Sequence, residues 1–271
     1  YTGQNNTAIG YQALLSNTSG NQNSALGSGS LMNNTTGNYN SSFGFNSLTN
    51  NTTGLYNAAI GSLALSANTT GENNTAVGDQ ALSSNTTASN NTAIGYQSLN
   101  ANTAGYNNTS VGYGSLQTNV VGINNTAVGY LALYSNVVGS NNSAFGHYAL
   151  YANTTNYNSA FGYKALFANT TGTRNIAIGV GALQANTIGS SNTAVGHNSL
   201  ISNTTGDNNS AFGRYSLRYS TIGQSNSAFG SNALRLNTIG INNSAFGFYA
   251  LRNNVTGGSN AAFGYSALKN N

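Results

Sequence analysis

The sequence predicts an all-β chain, a parallel β-solenoid of about sixteen 17-residue coils. Three observations lead to that class: a glycine recurring every 17 residues, invariant columns of Leu and Asn in phase with it, and a composition unlike that of an ordinary globule. The marker glycines run Gly10, Gly27, Gly44 and onward to Gly264, and every interval is 17 except Gly146 to Gly162, which is 16. A 17-residue period is too short for a two-helix repeat and suits one coil of a solenoid. Only 4% of the 271 residues are charged, against roughly a quarter in typical soluble proteins. Yet 38% are hydrophobic, so the chain is not simply disordered.

The unit reads Asn-(Ser/Thr)-Ala-(Ile/Val/Phe)-Gly-x-x-(Ala/Ser)-Leu-x-x-Asn-Thr-Thr-Gly-x-x. Two short strands per coil are expected, roughly Thr-Ala-Ile-Gly-Tyr and Gln-Ala-Leu, separated by turns rich in Gly and Asn. The apolar residue before the marker Gly and the Leu four residues after it (Leu14, Leu31, Leu133, Leu251 and their equivalents) are assigned to the interior. Four residues before the Gly stands an Asn in every unit, among them Asn6, Asn23, Asn40, Asn74, Asn91 and Asn125. Stacked identical amides can bond from coil to coil, so these are read as a structural ladder. A second Asn column runs from Asn17 to Asn271 and is broken only by Ser220.

At about 4.8 Å per coil, sixteen coils give a single rod over residues 1–271, roughly 75 Å long, with one irregular 16-residue unit at 147–162. Two large apolar side chains per coil bury little area against the entropy of ordering seventeen residues. A homo-oligomer is therefore expected, head to tail or lateral. The two ends complete one unit in register, which points to an end-to-end contact through Tyr1, Thr2, Gly3, Leu268 and Asn271. Such a heterologous contact propagates into a filament unless it closes. A window cut from a longer repeat region gives the same arithmetic. No basic, apolar leader pattern precedes the repeats, and the sequence opens on Tyr1, which reads as a processed or partial chain.

The segments Asn6-Thr7-Ala8-Ile9-Gly10 and Asn91-Thr92-Ala93-Ile94-Gly95-Tyr96-Gln97-Ser98-Leu99 resemble head repeats of trimeric autotransporter adhesins. They are also similar to repeats in fibre proteins of phages and large viruses. The resemblance covers the whole chain. It implies a left-handed coil, often trimeric, displayed extracellularly on a cell or virion surface for attachment. The present unit departs from the adhesin head repeat in carrying an extra Asn-Thr-Thr-Gly turn.

Little in the sequence points to catalysis, and no enzyme, cofactor or metal site is expected. His147 and His197 share a column but lie three coils apart, roughly 14 Å, too far for one metal. His197 and Asp207 share a coil with serines, a pattern that a serine-rich repeat generates by chance. Glu72 and Asp79 read as isolated surface carboxylates. The glycines do not form a phosphate loop, because no Gly-Lys-Ser/Thr follows. No cysteine is present, which excludes disulfides and thiolate metal sites. No run is long enough for a membrane span, and the formal net charge of +4 is too small to imply nucleic acid.

Charge is unevenly placed. Residues 1–163 hold Glu72 and Asp79 and no cation, whereas all seven Lys and Arg lie after residue 163 with Asp207. Arg218, Arg235, Arg252 and Lys269 each follow a marker Gly by five residues, on four consecutive coils. They read either as an anion-binding strip or as four solvated side chains copied by repeat duplication. Tyr96, Tyr113, Tyr130, Tyr163 and Tyr265 follow marker glycines, with Tyr148, Tyr215 and Tyr249 one position on. They suit inter-chain packing or stacking against a carbohydrate. Asn-x-Ser/Thr sequons are frequent, and the turn column Asn17, Asn51, Asn68, Asn85, Asn169 and Asn203 is the better glycosylation candidate. The expected function is a structural subunit of an extracellular or surface fibre. The alternative is a receptor- or glycan-binding adhesin head, and an ice-binding face built on Thr columns is a minor one.

Overall fold

A computed structural model describes residues 2–271. The chain is an all-β parallel β-solenoid with sixteen three-residue strands, and no helix occurs among the described residues. It divides into two compact units, Tyr1–Ser140 and Asn141–Asn271. In the first, the strands are β1 (Thr7–Ile9), β2 (Ser24–Leu26), β3 (Ser41–Phe43), β4 (Ala58–Ile60), β5 (Thr75–Val77), β6 (Thr92–Ile94), β7 (Thr109–Val111) and β8 (Thr126–Val128). The second holds β9 (Ser143–Phe145), β10 (Ser159–Phe161), β11 (Ile176–Ile178), β12 (Thr193–Val195), β13 (Ser210–Phe212), β14 (Ser227–Phe229), β15 (Ser244–Phe246) and β16 (Ala261–Phe263). Within each unit every strand pairs in parallel with the next, equivalent residue on equivalent residue, as in Thr75↔Thr92, Ala76↔Ala93 and Val77↔Ile94.

Each coil carries one strand, not two. The expected second strand, Gln-Ala-Leu, is a succession of tight turns. Gln97 and Leu99 take φ of 51° and 52°, and the repeated Leu is left-handed in every coil. Left- and right-handed residues alternate here and close local bonds: Ser98 N donates to Gly95 O (3.3 Å) and Asn102 N to Leu99 O (3.3 Å). The intervening amide turns to the next coil, Leu99 N donating to Ser115 O at 3.0 Å. A left-handed Leu is unfavourable, and burial of its side chain together with this inter-coil bond offsets the strain.

The interior is narrow. It holds the middle residue of the strand (Ala93), the small residue before the Leu (Ser98), the Leu itself (Leu99) and two Asn (Asn91 and Asn102), all fully buried in their coil. The apolar residue before the marker Gly points outward, contrary to the sequence-based assignment: Ile94 is 40% exposed and Phe145 37%. Successive residues of a strand face opposite sides. Because the small Ala or Ser fills the inside position, its large neighbour must lie outside. The marker Gly then has φ near +132°, and a Cβ at Gly95 would collide with the carbonyl of Gly112 in the next coil. Only glycine combines that dihedral with that approach.

Two amide ladders line the interior. In one, the Asn before the strand accepts on Oδ1 from the backbone N–H of its counterpart and donates Nδ2 to a turn carbonyl of the next coil. Asn23 N to Asn6 Oδ1 (2.9 Å), Asn6 Nδ2 to Gly20 O (2.7 Å) and Asn23 Nδ2 to Gly37 O (2.8 Å) are examples. The same pattern includes Asn40, Asn74, Asn91 and Asn125. In the other, amide follows amide: Asn51 Nδ2 donates to Asn34 Oδ1 (2.8 Å) and Asn68 Nδ2 to Asn51 Oδ1 (2.8 Å). Most also donate to the carbonyl three residues on, as Asn51 does to Gly54 (3.1 Å). That carbonyl therefore receives both ladders.

Where the strand interior is Ser instead of Ala, hydroxyls replace apolar contact in matched sets. Ser42 bonds Ser30 (2.9 Å) and Ser47 (2.6 Å), and Ser110 bonds Ser98 (2.7 Å) and Ser115. Each buried hydroxyl thereby finds a partner; where the strand interior is Ala, Ser199 and Ser216 donate instead to the carbonyls of Gly196 (2.9 Å) and Gly213 (2.8 Å). The 16-residue unit preserves the register by another route. The turn has lost its Gly, and the Thr155 carbonyl accepts from both Asn142 Nδ2 (2.7 Å) and Asn153 Nδ2 (2.8 Å). Ser159 still pairs with Ser143.

Candidate functional site

An interior filled by small residues and amides leaves chemistry to the outer surface, and no cavity opens among the described residues. No group of three His, Asp or Glu side chains converges there to hold a metal. His147 lies edge-on to Tyr148 (centroids 4.3 Å apart) and His197 edge-on to Tyr215 (5.5 Å). Asp207 Oδ1 accepts from the Ser190 backbone N–H at 2.7 Å, capping a turn of the preceding coil.

Two outward columns flank the marker Gly in each unit. The residue before the marker Gly forms a ridge along the sheet, in which rings stack at the strand spacing. Phe145 and Phe161 are 4.9 Å apart, and Phe212, Phe229, Phe246 and Phe263 follow one another at 4.7–4.9 Å with nearly parallel planes. The residue after the Gly forms a second ridge, with Tyr96, Tyr113 and Tyr130 stacked at 5.2 Å. Tyr163 and Tyr265 occupy the same column and are exposed. This apolar relief was invisible to a reading that sent the first column inward.

Five of the second unit's seven cations gather on a smaller area. Arg218, Arg235, Arg252 and Lys269 stand on consecutive coils, and backbone bonds hold their columns in step: Tyr219 N donates to Arg235 O (3.1 Å) and Leu236 N to Arg252 O (3.0 Å). The guanidinium of Arg218 lies 4.6 Å from the Tyr215 ring centre and 5.1 Å from that of Tyr219. Arg235 lies 5.6 and 5.9 Å from the same two rings. Arg252 and the Lys269 ammonium flank Tyr249 at 5.1 and 5.4 Å. Attraction between a cation and a ring face steadies these heads. A fifth cation, Arg214, adds its Nη2 donating to the Tyr215 hydroxyl at 3.1 Å. That bond lowers the Tyr215 pKa below the ordinary phenol range, with Coulombic help from Arg214, Arg218 and Arg235. Arg214, Tyr215, Tyr219 and Tyr249 were not grouped with the strip from the sequence. The available signal is tyrosines one or three residues from members of the Arg column.

The turn column chosen for glycosylation is not a surface feature. Asn51, Asn68, Asn85, Asn169 and Asn203 are fully buried, and Asn17 is half-buried with its amide on Gly20 O. Their Nδ2 atoms, the atoms a glycan would occupy, are the donors of the amide ladder. Exposed sequons fall elsewhere, at the turn position before the strand-side ladder, as at Asn73, Asn90 and Asn107. Of the residues assigned to an end-to-end contact, Tyr1 lies outside the described residues. Thr2 donates its backbone N–H to Thr18 O (2.8 Å), Gly3 is exposed at the surface, and Leu268 and Asn271 are exposed too. No protein-family model matches this chain, and no curated protein is similar to it in sequence.

Proposed function

We propose that the chain is a structural element of an extracellular or surface-displayed fibre that associates with copies of itself and has no catalytic role. The observation that carries this reading is the coil-to-coil bonding. Most interior polar groups bond to a neighbouring coil in a pattern repeated from coil to coil, so one coil is a template for the next. A stack built this way is extended by the same bonds that hold it together. The outward ridges of Phe, Ile and Tyr supply apolar area for lateral contact between copies. Electron imaging of the purified protein tests the proposal, with fibres or bundles as the expected result. Monodisperse single chains at every concentration would overturn it.

A second reading, an adhesin head recognising a glycan or a cell-surface ligand, draws on the exposed tyrosine ladder. Tyr96, Tyr113 and Tyr130 offer stacked ring edges and hydroxyls of the kind that sugars contact. Saturable binding of a glycan, lost on replacing these tyrosines, distinguishes it from the fibre role.

A further inference from the structure

The cationic strip of the second unit has an arrangement that the fibre role does not require. Arg218, Arg235 and Arg252 repeat at the coil spacing of about 4.8 Å, and like charges in such a column repel. Among the described residues no carboxylate pairs with them. Their Nε atoms are buried and lack a hydrogen-bond partner, so the stems are held against the surface while the terminal nitrogens face outward. Arg218 and Arg235 have no protein acceptor for those terminal nitrogens, and Arg252 has only Asn253 Oδ1 at 3.5 Å. The rings of Tyr215, Tyr219 and Tyr249 fix the heads in a row.

We propose that this row is a binding site for a linear acidic polysaccharide running along the stack, its carboxylates received by successive guanidiniums. Three features select that ligand. A column of evenly spaced cations suits an extended chain bearing charge at regular intervals. The guanidinium fork suits a carboxylate better than a lone ammonium does. The tyrosine faces are already taken by Arg and Lys heads, which removes the stacking platforms that single-stranded nucleic acids use. The inference is independent of self-association, since a single chain holds the whole strip.

The test measures binding of polygalacturonate, a neutral dextran and a single-stranded oligonucleotide by calorimetry at several salt concentrations. Wild-type protein should bind polygalacturonate, weaken as salt rises, and ignore dextran. The variant R218Q/R235Q/R252Q should lose affinity by at least about tenfold, as expected for removing charge-assisted contacts. The variant R218K/R235K/R252K, which retains charge without the fork, should fall between. R235Q alone, with a circular dichroism spectrum matching wild type, guards against misfolding and should give a smaller loss. Equal binding by the triple Gln variant, absence of polygalacturonate binding, or tighter binding of the oligonucleotide would each overturn the proposal.

Discussion

Restoring asparagine at position 220 isolates the energetic contribution of the amide ladder. Ser220 interrupts the second Asn column, and both its Oγ and the Oδ1 of Asn203 in the preceding coil are buried without a partner. The local backbone is unchanged by the interruption, with Ser220 N still donating to Leu217 O at 3.1 Å as in neighbouring coils. Ser220→Asn would place Nδ2 to donate to Asn203 Oδ1 and to Gly223 O, the bonds Asn186 makes at 2.8 and 2.9 Å. Each such bond contributes about 0.5–1.5 kcal/mol net, and leaving a buried polar atom unpaired costs about 1–3 kcal/mol. Ordering the longer side chain returns roughly 1 kcal/mol. The expected gain is about 1–3 kcal/mol, at roughly 2–4 °C in unfolding midpoint per kcal/mol for a chain of this size class. Nearest-neighbour coupling confines the effect to adjacent coils, so hydrogen exchange at Thr204 and Thr221 should slow while remote amides stay unchanged. Asn186→Ser should produce the opposite, of similar size. If Ser220→Asn folds normally yet changes neither midpoint nor exchange, the ladder does not stabilise the stack and the reasoning fails.

Other consequences are sharper in direction. Leu133→Asp places an unpaired charge in a fully buried position and should cost several kcal/mol, read as a lowered midpoint; native stability would contradict the inward Leu column. Ala93→Leu should be destabilising by about 1–3 kcal/mol through overpacking. Ile94→Ser, one residue away on the outer face, should stay within about 1 kcal/mol, and thermal melts of the pair test which side each residue faces. Gly95→Ala should lower the midpoint more than a turn substitution such as Thr103→Ala, since it adds a collision with Gly112 to a disfavoured φ. Tyr215 should ionise at lower pH than an ordinary tyrosine. Its deprotonated form is favoured in the folded chain, so the associated stability is present at high pH and fades as pH falls through its folded pKa. The ultraviolet difference titration of wild type against Y215F reads this, and R214Q should move the transition upward.

The period, the parallel stacking and the two Asn columns could be read directly from the sequence, because identical coils in register place equal residues at equal heights. The orientation of the strand is not legible from hydrophobicity, for a physical reason. Ile, Val and Phe outrank Ala on that scale, yet they lie outside. The better sign is size tolerance: the middle strand position accepts only Ala or Ser, from Ala8 to Ala262, whereas the next varies freely from Val to Phe. A constricted interior restricts volume and an outer surface does not. The second strand, Gln-Ala-Leu, is expected from its place between turns rich in Gly and Asn. Nothing in those residue types announces left-handed Gln97 and Leu99, although Gly at the Gln position in some coils (Gly29, Gly114 and Gly181) hints at it. The Asn-Thr-Thr turn read as exposed by composition, yet its Asn folds inward to complete the amide ladder. Arg218, Arg235, Arg252 and Lys269 were visible as a column, but the tyrosines that hold them needed coordinates.

The bonds joining one coil to the next also determine how the material bears load. Leu82 N to Ser98 O, Thr75 N to Asn91 O, Gly95 N to Val77 O and Asn91 N to Asn74 Oδ1 join neighbouring coils at separate points around the loop. A pull along the stacking direction therefore strains them together, and failure requires many to break at once. A sideways peel meets them singly. Within either unit, tension along the stack therefore meets more resistance than prying at an exposed coil.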